Sequence, residues 1–328
     1  MNKLFINFNS GGIEVVEKFR NLINNDYKKY DQIIVSLTEP GIMYSEYNVY
    51  YSFIDLIEEN IDKNIIYYGC NYSNISKKLP LYFVNYMFHK GPHLYKTDSM
   101  CVNLLKHCIP FYKKSKNIKK WDFLMGGKTE IKDWLLENIK SHDIFSEIFL
   151  TYYRDDVKTG HWSNFVKIPK NHTAETIYDR YKNLLRYSDL IDPEIYNQTF
   201  YTALIETTNH PDFCVFTEKT AKPIIAKRPF VVFGSPGQLN ALQKLGFRTF
   251  STIIDESYDL EIDNQLRFKK VLDAMQELNN KDPLDVYEKL REVLEHNKKH
   301  FEETDWNSAF LNSVKNYNKK VDLNNFNY

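Results

Sequence analysis

Short apolar runs alternate with longer amphipathic stretches along this chain, and they do so in two successive rounds. "KLFINF" (Lys3 to Phe8) reads as a strand. "GIEVVEKFRNLI" (Gly12 to Ile23) has helical spacing of its apolar residues. "QIIVSL" (Gln32 to Leu37) is a near-continuous apolar run, the mark of a strand covered on both faces. "NVYYSFIDLIEEN" (Asn48 to Asn60) follows as a helix and "NIIYYGC" (Asn64 to Cys70) as a third strand. A β-α-β-α-β order predicts parallel strands joined by right-handed crossovers, because a tight hairpin joins only antiparallel strands.

"FYKKSKNIKK" (Phe111 to Lys120) is a polar, lysine-rich break, and a domain boundary is expected there. Residues 1–118 would form one α/β domain. Residues 119–328 would form a second, ending in helices. The second round begins with "WDFLMGG" (Trp121 to Gly127), a strand running into a glycine turn. "TEIKDWLLENIKSHD" is an amphipathic helix with Thr129 as its N-cap. "SEIFLTYY" (Ser146 to Tyr153), "FYTALIET" (Phe200 to Thr207) and "RPFVVFG" (Arg228 to Gly234) read as strands. "HTAETIYDRYKNLLRYS" reads as a helix, as does "GQLNALQKLG", which Gly246 closes. From Asp263 onward the pattern is polar and helical.

Composition narrows the function classes. Lys+Arg and Asp+Glu are both 43 in a chain of 328 residues, so net charge is zero. That disfavours nucleic acid or an anionic membrane as a broad electrostatic partner. No apolar stretch approaches the roughly 18 residues that span a membrane. The N-terminus lacks the apolar core of a signal peptide, so a soluble, cytoplasmic protein is expected. Cys70, Cys101, Cys108 and Cys214 show no C-x-x-C spacing, which argues against a structural zinc site or a disulfide framework. The 24 tyrosines and 22 phenylalanines fit either an AT-rich coding bias or aromatic platforms for sugar rings.

The polar loops follow strands: "TEPG", "GGK", "ETTN" and "GSPG". Ligands of parallel sheets bind outside the carboxyl ends of the strands, so these loops are the candidate site. In "FTEKTAKPIIAKRPFVVFGSPG" (Phe216 to Gly237), Glu218 and Lys219 lie at a helix start. Thr217 or Thr220 is its cap, and Pro223 falls in its first turn or bends it. A helix N-terminus with a lysine suits a phosphate. A neighbouring carboxylate suits a ribose diol. The ordinary alternative is a solvated Glu-Lys pair.

The ordered set from Phe200 to Gly237 resembles the donor-binding segment of family 10 glycosyltransferases, the α-1,3-fucosyltransferase type. It holds a strand ending in an acidic residue (Ile205-Glu206) and an aromatic-led Thr-Glu-Lys element (Phe216 to Lys219). A proline-led strand then ends in Gly-Ser-Pro (Pro229 to Pro236). The resemblance implies a GT-B-like architecture, with two Rossmann-like domains facing a cleft, acceptor domain first and donor domain second. It implies a nucleotide-diphosphate sugar as donor, GDP- or UDP-linked, and a hydroxyl on a carbohydrate or other acceptor. Transfer would invert the anomeric centre, with neither cofactor nor metal. Glu218 would hold the ribose, Lys219 would neutralise the diphosphate, and Glu206 would face the sugar or order the neighbouring loop. Thr217, Gly234 and Ser235 belong to the same donor-binding set. The family's arginine after the first donor-domain strand is missing from "FLMGGKTEIK"; Lys128 is the nearest substitute, with Lys132 one turn on.

A metal-free reaction fits the rest of the sequence. "RDD" (Arg154 to Asp156) is the closest approach to a carboxylate metal motif, and it offers too few convergent oxygens. The general base should come from the acceptor side; Glu39 in "SLTEPG" is the candidate, ahead of Glu46. "NFNSGG" (Asn7 to Gly12) is neither a dinucleotide fingerprint nor a P-loop, and reads as a turn with an acceptor contact. His296 and His300, one helical turn apart, read as surface residues rather than zinc ligands, and His89 and His93 as loop residues. Two other functions remain open at this stage: a glycosyltransferase acting on DNA bases, and a non-catalytic α/β protein that binds a sugar or nucleotide.

Overall fold

Both rounds of alternation produce parallel sheets. The computed structural model describes residues 2–7, 13–37, 55–56, 59–60, 65–69, 71–73, 119–125, 130–152, 196, 198–206, 209–211, 213–216, 218–306 and 308. Residues 74–118, across which the domain boundary is expected, lie outside the described residues. The chain divides into two compact units. The first comprises Met1–His89, Asp212–Phe216 and Thr304–Tyr328; the second comprises Lys90–Pro211 and Thr217–Glu303.

In the first unit, β1 (Lys3–Asn7), β2 (Gln32–Leu37) and β3 (Ile65–Gly69) form a parallel sheet in that order. Helix α1 (Ile13–Asn25) connects β1 to β2 and buries Val16, Phe19 and Ile23, which share one helical face. A short antiparallel pair follows, β4 (Asn71–Ser73) with β8 (Phe213–Val215), Tyr72 lying opposite Cys214. Sequence periodicity could not have shown it, because three residues are too few to display a repeat.

The second unit holds a four-stranded sheet with the order β6-β5-β7-β9, parallel throughout. Its strands are β5 (Lys119–Met125), β6 (Ile148–Tyr152), β7 (Thr199–Ile205) and β9 (Phe230–Phe233). Its helices are α2 (Glu130–Lys140), α3 (Glu218–Ile225), α4 (Gln238–Lys244), α5 (Asn264–Asn279) and α6 (Pro283–Glu303). Ser146 and Glu147, expected to start β6, instead end a 3-10 turn, Asp143–Glu147. His142 caps this turn, its Nδ1 accepting from the Ile144 N–H at 3.4 Å. The described chain is therefore mixed α/β. Among the described residues, no helix is long and apolar enough to cross a membrane.

Strand alternation sorts the side chains of this sheet onto two faces. Phe123 meets Phe233 (centroids 5.4 Å apart), and Phe233 meets Phe268 of α5 at 5.5 Å. Trp134 of α2 also reaches Phe268, at 6.0 Å. Helices α2 and α5 thus share one face. On α2, Leu135, Leu136 and Ile139 are fully buried; each contributes about 1.5–3 kcal/mol by leaving water. On the other face lie Asp122 and Thr202, paired across β5 and β7.

That second face carries a buried ion pair. Arg228, just before β9, donates from Nη2 to Asp122 Oδ2 at 2.7 Å, and both side chains are buried. Its remaining donors go to the carbonyls of Tyr196 and Thr199 (both 2.9 Å) and Tyr201 (3.2 Å), and to the hydroxyls of Thr199 (2.8 Å) and Thr202 (3.2 Å). The Tyr196 ring lies 4.2 Å from the guanidinium carbon. Burial pushes the Asp122 carboxyl above its ordinary value, and Arg228 pulls it back. Arg228→Met would strand that carboxylate in the core. We expect a loss of about 3–5 kcal/mol in urea denaturation. A loss below about 1 kcal/mol would show that the pair does not hold the sheet together.

Candidate functional site

The strand order β6-β5-β7-β9 defines where a ligand belongs. From β5 the chain moves to β6 on one side; from β7 it moves to β9 on the other. Connections that diverge in this way leave a crevice outside the carboxyl ends of β5 and β7. Glu206, the residue after β7, stands at that edge. Its N–H donates to the Phe233 carbonyl at 3.0 Å, so the β7–β9 ladder continues through it.

The Glu206 side chain is fully buried and continues the alternation through Thr202 and Leu204, which puts it on the face opposite α5. Helix α3 meets it there. Thr220 donates its hydroxyl proton to Glu206 Oε1 at 2.6 Å, and Lys219 Nζ lies 3.9 Å from Oε2. The helix starts at Glu218, so Lys219 and Thr220 both sit in its first turn. Thr220 is therefore not the cap: its hydroxyl is turned inward to the carboxylate. Pro223 lies inside the helix, where it has no N–H to offer the Lys219 carbonyl. Lys219 keeps 22% of its side chain exposed, enough to reach a ligand.

The next strand end is built differently. Gly234 accepts from Arg267 Nε through its carbonyl at 2.9 Å, and the Ser235 N–H donates to Gln238 Oε1 at 3.1 Å. A Cβ on Gly234 would lie 2.1 Å from that same Gln238 oxygen, so any side chain here would force Gln238 to move. Gly237 takes the left-handed conformation, φ 76°, before α4. The N–H groups of Leu239 and Asn240 donate to the two Asp259 carboxylate oxygens at 2.9 and 3.0 Å. The Gly234 carbonyl and the Ser235 N–H are thus taken up within the turn.

Arg267 carried no sequence signal, since an arginine on a polar helix reads as exposed. It is almost fully buried. Besides Gly234, it donates to the carbonyls of Asn209 (3.1 Å), Glu261 (2.8 Å) and Ile262 (3.0 Å), tying together the segments after β7 and β9. Burial pushes its guanidinium down to about 10. His296 and His300, read from sequence as surface residues, donate from Nε2 to the carbonyls of Gly246 (2.9 Å) and Leu245 (2.7 Å), which follow α4. Gly246 ends that helix with φ 92°, as the sequence suggested.

The structure brings Glu206 and Lys219 together and places Gly234 and Ser235 at the adjacent strand end. Glu218 is the first residue of α3, with its side chain outside the description. Glu39, Glu46, Lys128, Thr217, His89, His93 and the Arg154 to Asp156 motif lie outside the described residues. Among the described residues, no cluster of His, Cys, Asp and Glu is placed to hold a metal ion. No family model matches this sequence, and neither the curated proteins nor the solved structures provide a match.

Glu256 supports the loop that leads to Asp259, accepting from the Phe250 N–H at 2.6 Å. Burial pushes its carboxyl up from 4.5 to about 6. The folded chain therefore holds a proton that the unfolded chain releases, and stability falls as pH rises across that interval. A shift of this size is worth at most about 2 kcal/mol. We expect Glu256→Gln to flatten the dependence of thermal stability on pH between 4.5 and 6. The same slope in mutant and wild type would remove Glu256 from that dependence.

Proposed function

We propose that this protein transfers a sugar from a nucleotide-diphosphate donor to a hydroxyl acceptor without a metal ion. The observation that carries this reading is the convergence of Lys219, Thr220 and Glu206 at the point where strand order reverses. Those residues belong to the stretch that resembles family 10 glycosyltransferases. Two Rossmann-like domains of GT-B type are part of the same proposal.

In this reading Lys219 meets the diphosphate, and Glu218 takes the ribose hydroxyls. Burial of Glu206 and its bond with Thr220 favour a role in ordering α3 over contact with the sugar. Transfer breaks the bond between the anomeric carbon and the diphosphate oxygen and forms one to the acceptor oxygen. The acceptor proton passes to a general base, for which Glu39 is the candidate. The electron pair of the broken bond stays on the diphosphate, where fixed cations and backbone N–H groups stabilise it. Charged, half-exposed Lys219 suits that role because the developing charge lies on the leaving group.

The direct test is a thermal-shift panel of GDP, UDP, CDP, dTDP and CMP on wild type and Lys219→Ala. A ligand at 100 times its Kd stabilises by about 2.7 kcal/mol. One diphosphate should stabilise the wild type, and the variant should bind it about tenfold or more weakly, as loss of a charge-assisted contact requires. No shift with any of the five would overturn the reading. Glu39→Gln should abolish transfer while leaving diphosphate affinity unchanged; full activity would remove Glu39 from the mechanism.

A further inference from the structure

Arg267 is a second buried arginine beside the larger sheet, and its surroundings differ from those of Arg228. It ends the first turn of α5, where Asp263 caps the helix by accepting from the Leu266 N–H at 2.8 Å. The next residue, Phe268, packs against Phe233 and fixes the helix on the sheet. Every N–H group of the Arg267 guanidinium has an acceptor. Nε donates to the Gly234 carbonyl, Nη1 to the carbonyls of Glu261 and Ile262, and Nη2 to the Asn209 carbonyl and the Asn264 side-chain oxygen. None of these oxygens carries a formal charge. The carboxylates of Asp259, Asp263 and Glu261 act on it through space.

That choice of acceptors bears on the site. Gly234 follows β9, and Asn209 lies shortly beyond Glu206, which follows β7. A carbonyl past the end of a strand has no ladder N–H to meet. Left outward, it turns a negative dipole end toward the edge where ligands of parallel sheets bind, and it repels an anion there. Arg267 is buried, so the carbonyls it binds are turned into the protein. The two segments that border the carboxyl ends of β7 and β9 are also held in one relative position, because a single planar group spans both. With every donor spent, Arg267 has none left for a ligand. It acts on a ligand only through those segments.

We infer that Arg267 is a positioning residue for the anionic ligand: it turns the Gly234 and Asn209 carbonyls away from the strand ends and holds the two segments in the arrangement that binding requires. This rests on the nucleotide-diphosphate reading of the site. Neutral side chains could tie two loops together. A guanidinium does so while gathering carbonyl oxygens from both, which clears the edge for a negative charge. A lysine is no substitute, because an ammonium donates from one point and cannot reach carbonyls on both segments.

GDP and UDP are the probes. Their affinities would be measured by calorimetry on the full chain for wild type, Arg267→Lys, Arg267→Gln, Arg267→Ala and Lys219→Ala, at a temperature where circular dichroism shows each variant fully folded. A residue that serves stability alone would lower the unfolding temperature and leave the affinity of the folded protein unchanged. All three Arg267 variants should instead bind about fivefold or more weakly, within the range for residues that touch no ligand. Ethylguanidinium should restore affinity to Arg267→Ala. Ethylamine, which brings charge without the planar fork, should not, and equal restoration by it would count against the inference. Wild-type affinity in folded Arg267→Lys, with loss in Lys219→Ala, would overturn the inference and leave the proposed function standing. If the Arg267 variants do not fold, hydrogen exchange on the wild type decides. Diphosphate binding should slow exchange of the N–H groups around Asn209 and Gly234; unchanged exchange there would overturn the inference. No binding of any nucleoside diphosphate to the wild type would overturn both.

Discussion

A guanidinium buried against a carboxylate holds the second sheet in its arrangement. Arg228 reaches Asp122 on β5 and the Thr199 and Thr202 hydroxyls on β7 from a position just before β9. One side chain thereby joins three adjacent strands. Burying such a pair is costly, so its worth lies less in net stability than in what its absence would leave behind, a charge with no counterion in the core. Shifting any of the three strands would break several of these bonds at once. The neighbouring carboxyl ends of β5 and β7, where the candidate site lies, depend on that register.

Strand ends that look alike in sequence differ in chemistry. After β9, the turn is closed on itself: Gln238 fills the space over Gly234, Arg267 takes its carbonyl, and Asp259 takes the N–H groups that open α4. After β7, the chain puts a buried carboxylate beside a half-exposed lysine. The first arrangement gives rigidity to the edge of the sheet. The second leaves a cation in reach of solvent, held near a counterion that limits its freedom. Binding of an anion needs both, since an ordered site loses less conformational entropy when the ligand arrives.

Arg267 connects the two ends. Its bonds to the carbonyls of Gly234 and Asn209 fix the segments after β9 and β7 relative to one another. Arg267 is itself buried and spends its donors within this frame. Glu256 and Asp259, both pushed up by burial, belong to this frame.

Much of the fold was legible from pattern alone. "QIIVSL" and "WDFLMGG" became parallel strands because continuous apolar runs suit a sheet covered on both faces, and Gly246 ended a helix because it tolerates a positive φ. Glu206 and Lys219 were legible as candidates from their place after a strand and at a helix start, and the fold brings them together. Thr220 stood beside Thr217 as a candidate cap because the same hydroxyl serves a backbone N–H or a carboxylate, and only the fold brings Glu206 within 2.6 Å. Arg228 and Arg267 were silent in sequence for a related reason: a charged residue reads as exposed until its partners, distant along the chain, are placed around it. Local periodicity and turn chemistry act over a few residues and are written in the sequence, so the sequence by itself determined the longer strands, the helices among the described residues and the parallel sense of the two larger sheets. Strand order, the identity of buried charges and the closed or open state of each strand end depend on contacts between distant segments, and those the tertiary structure alone decided.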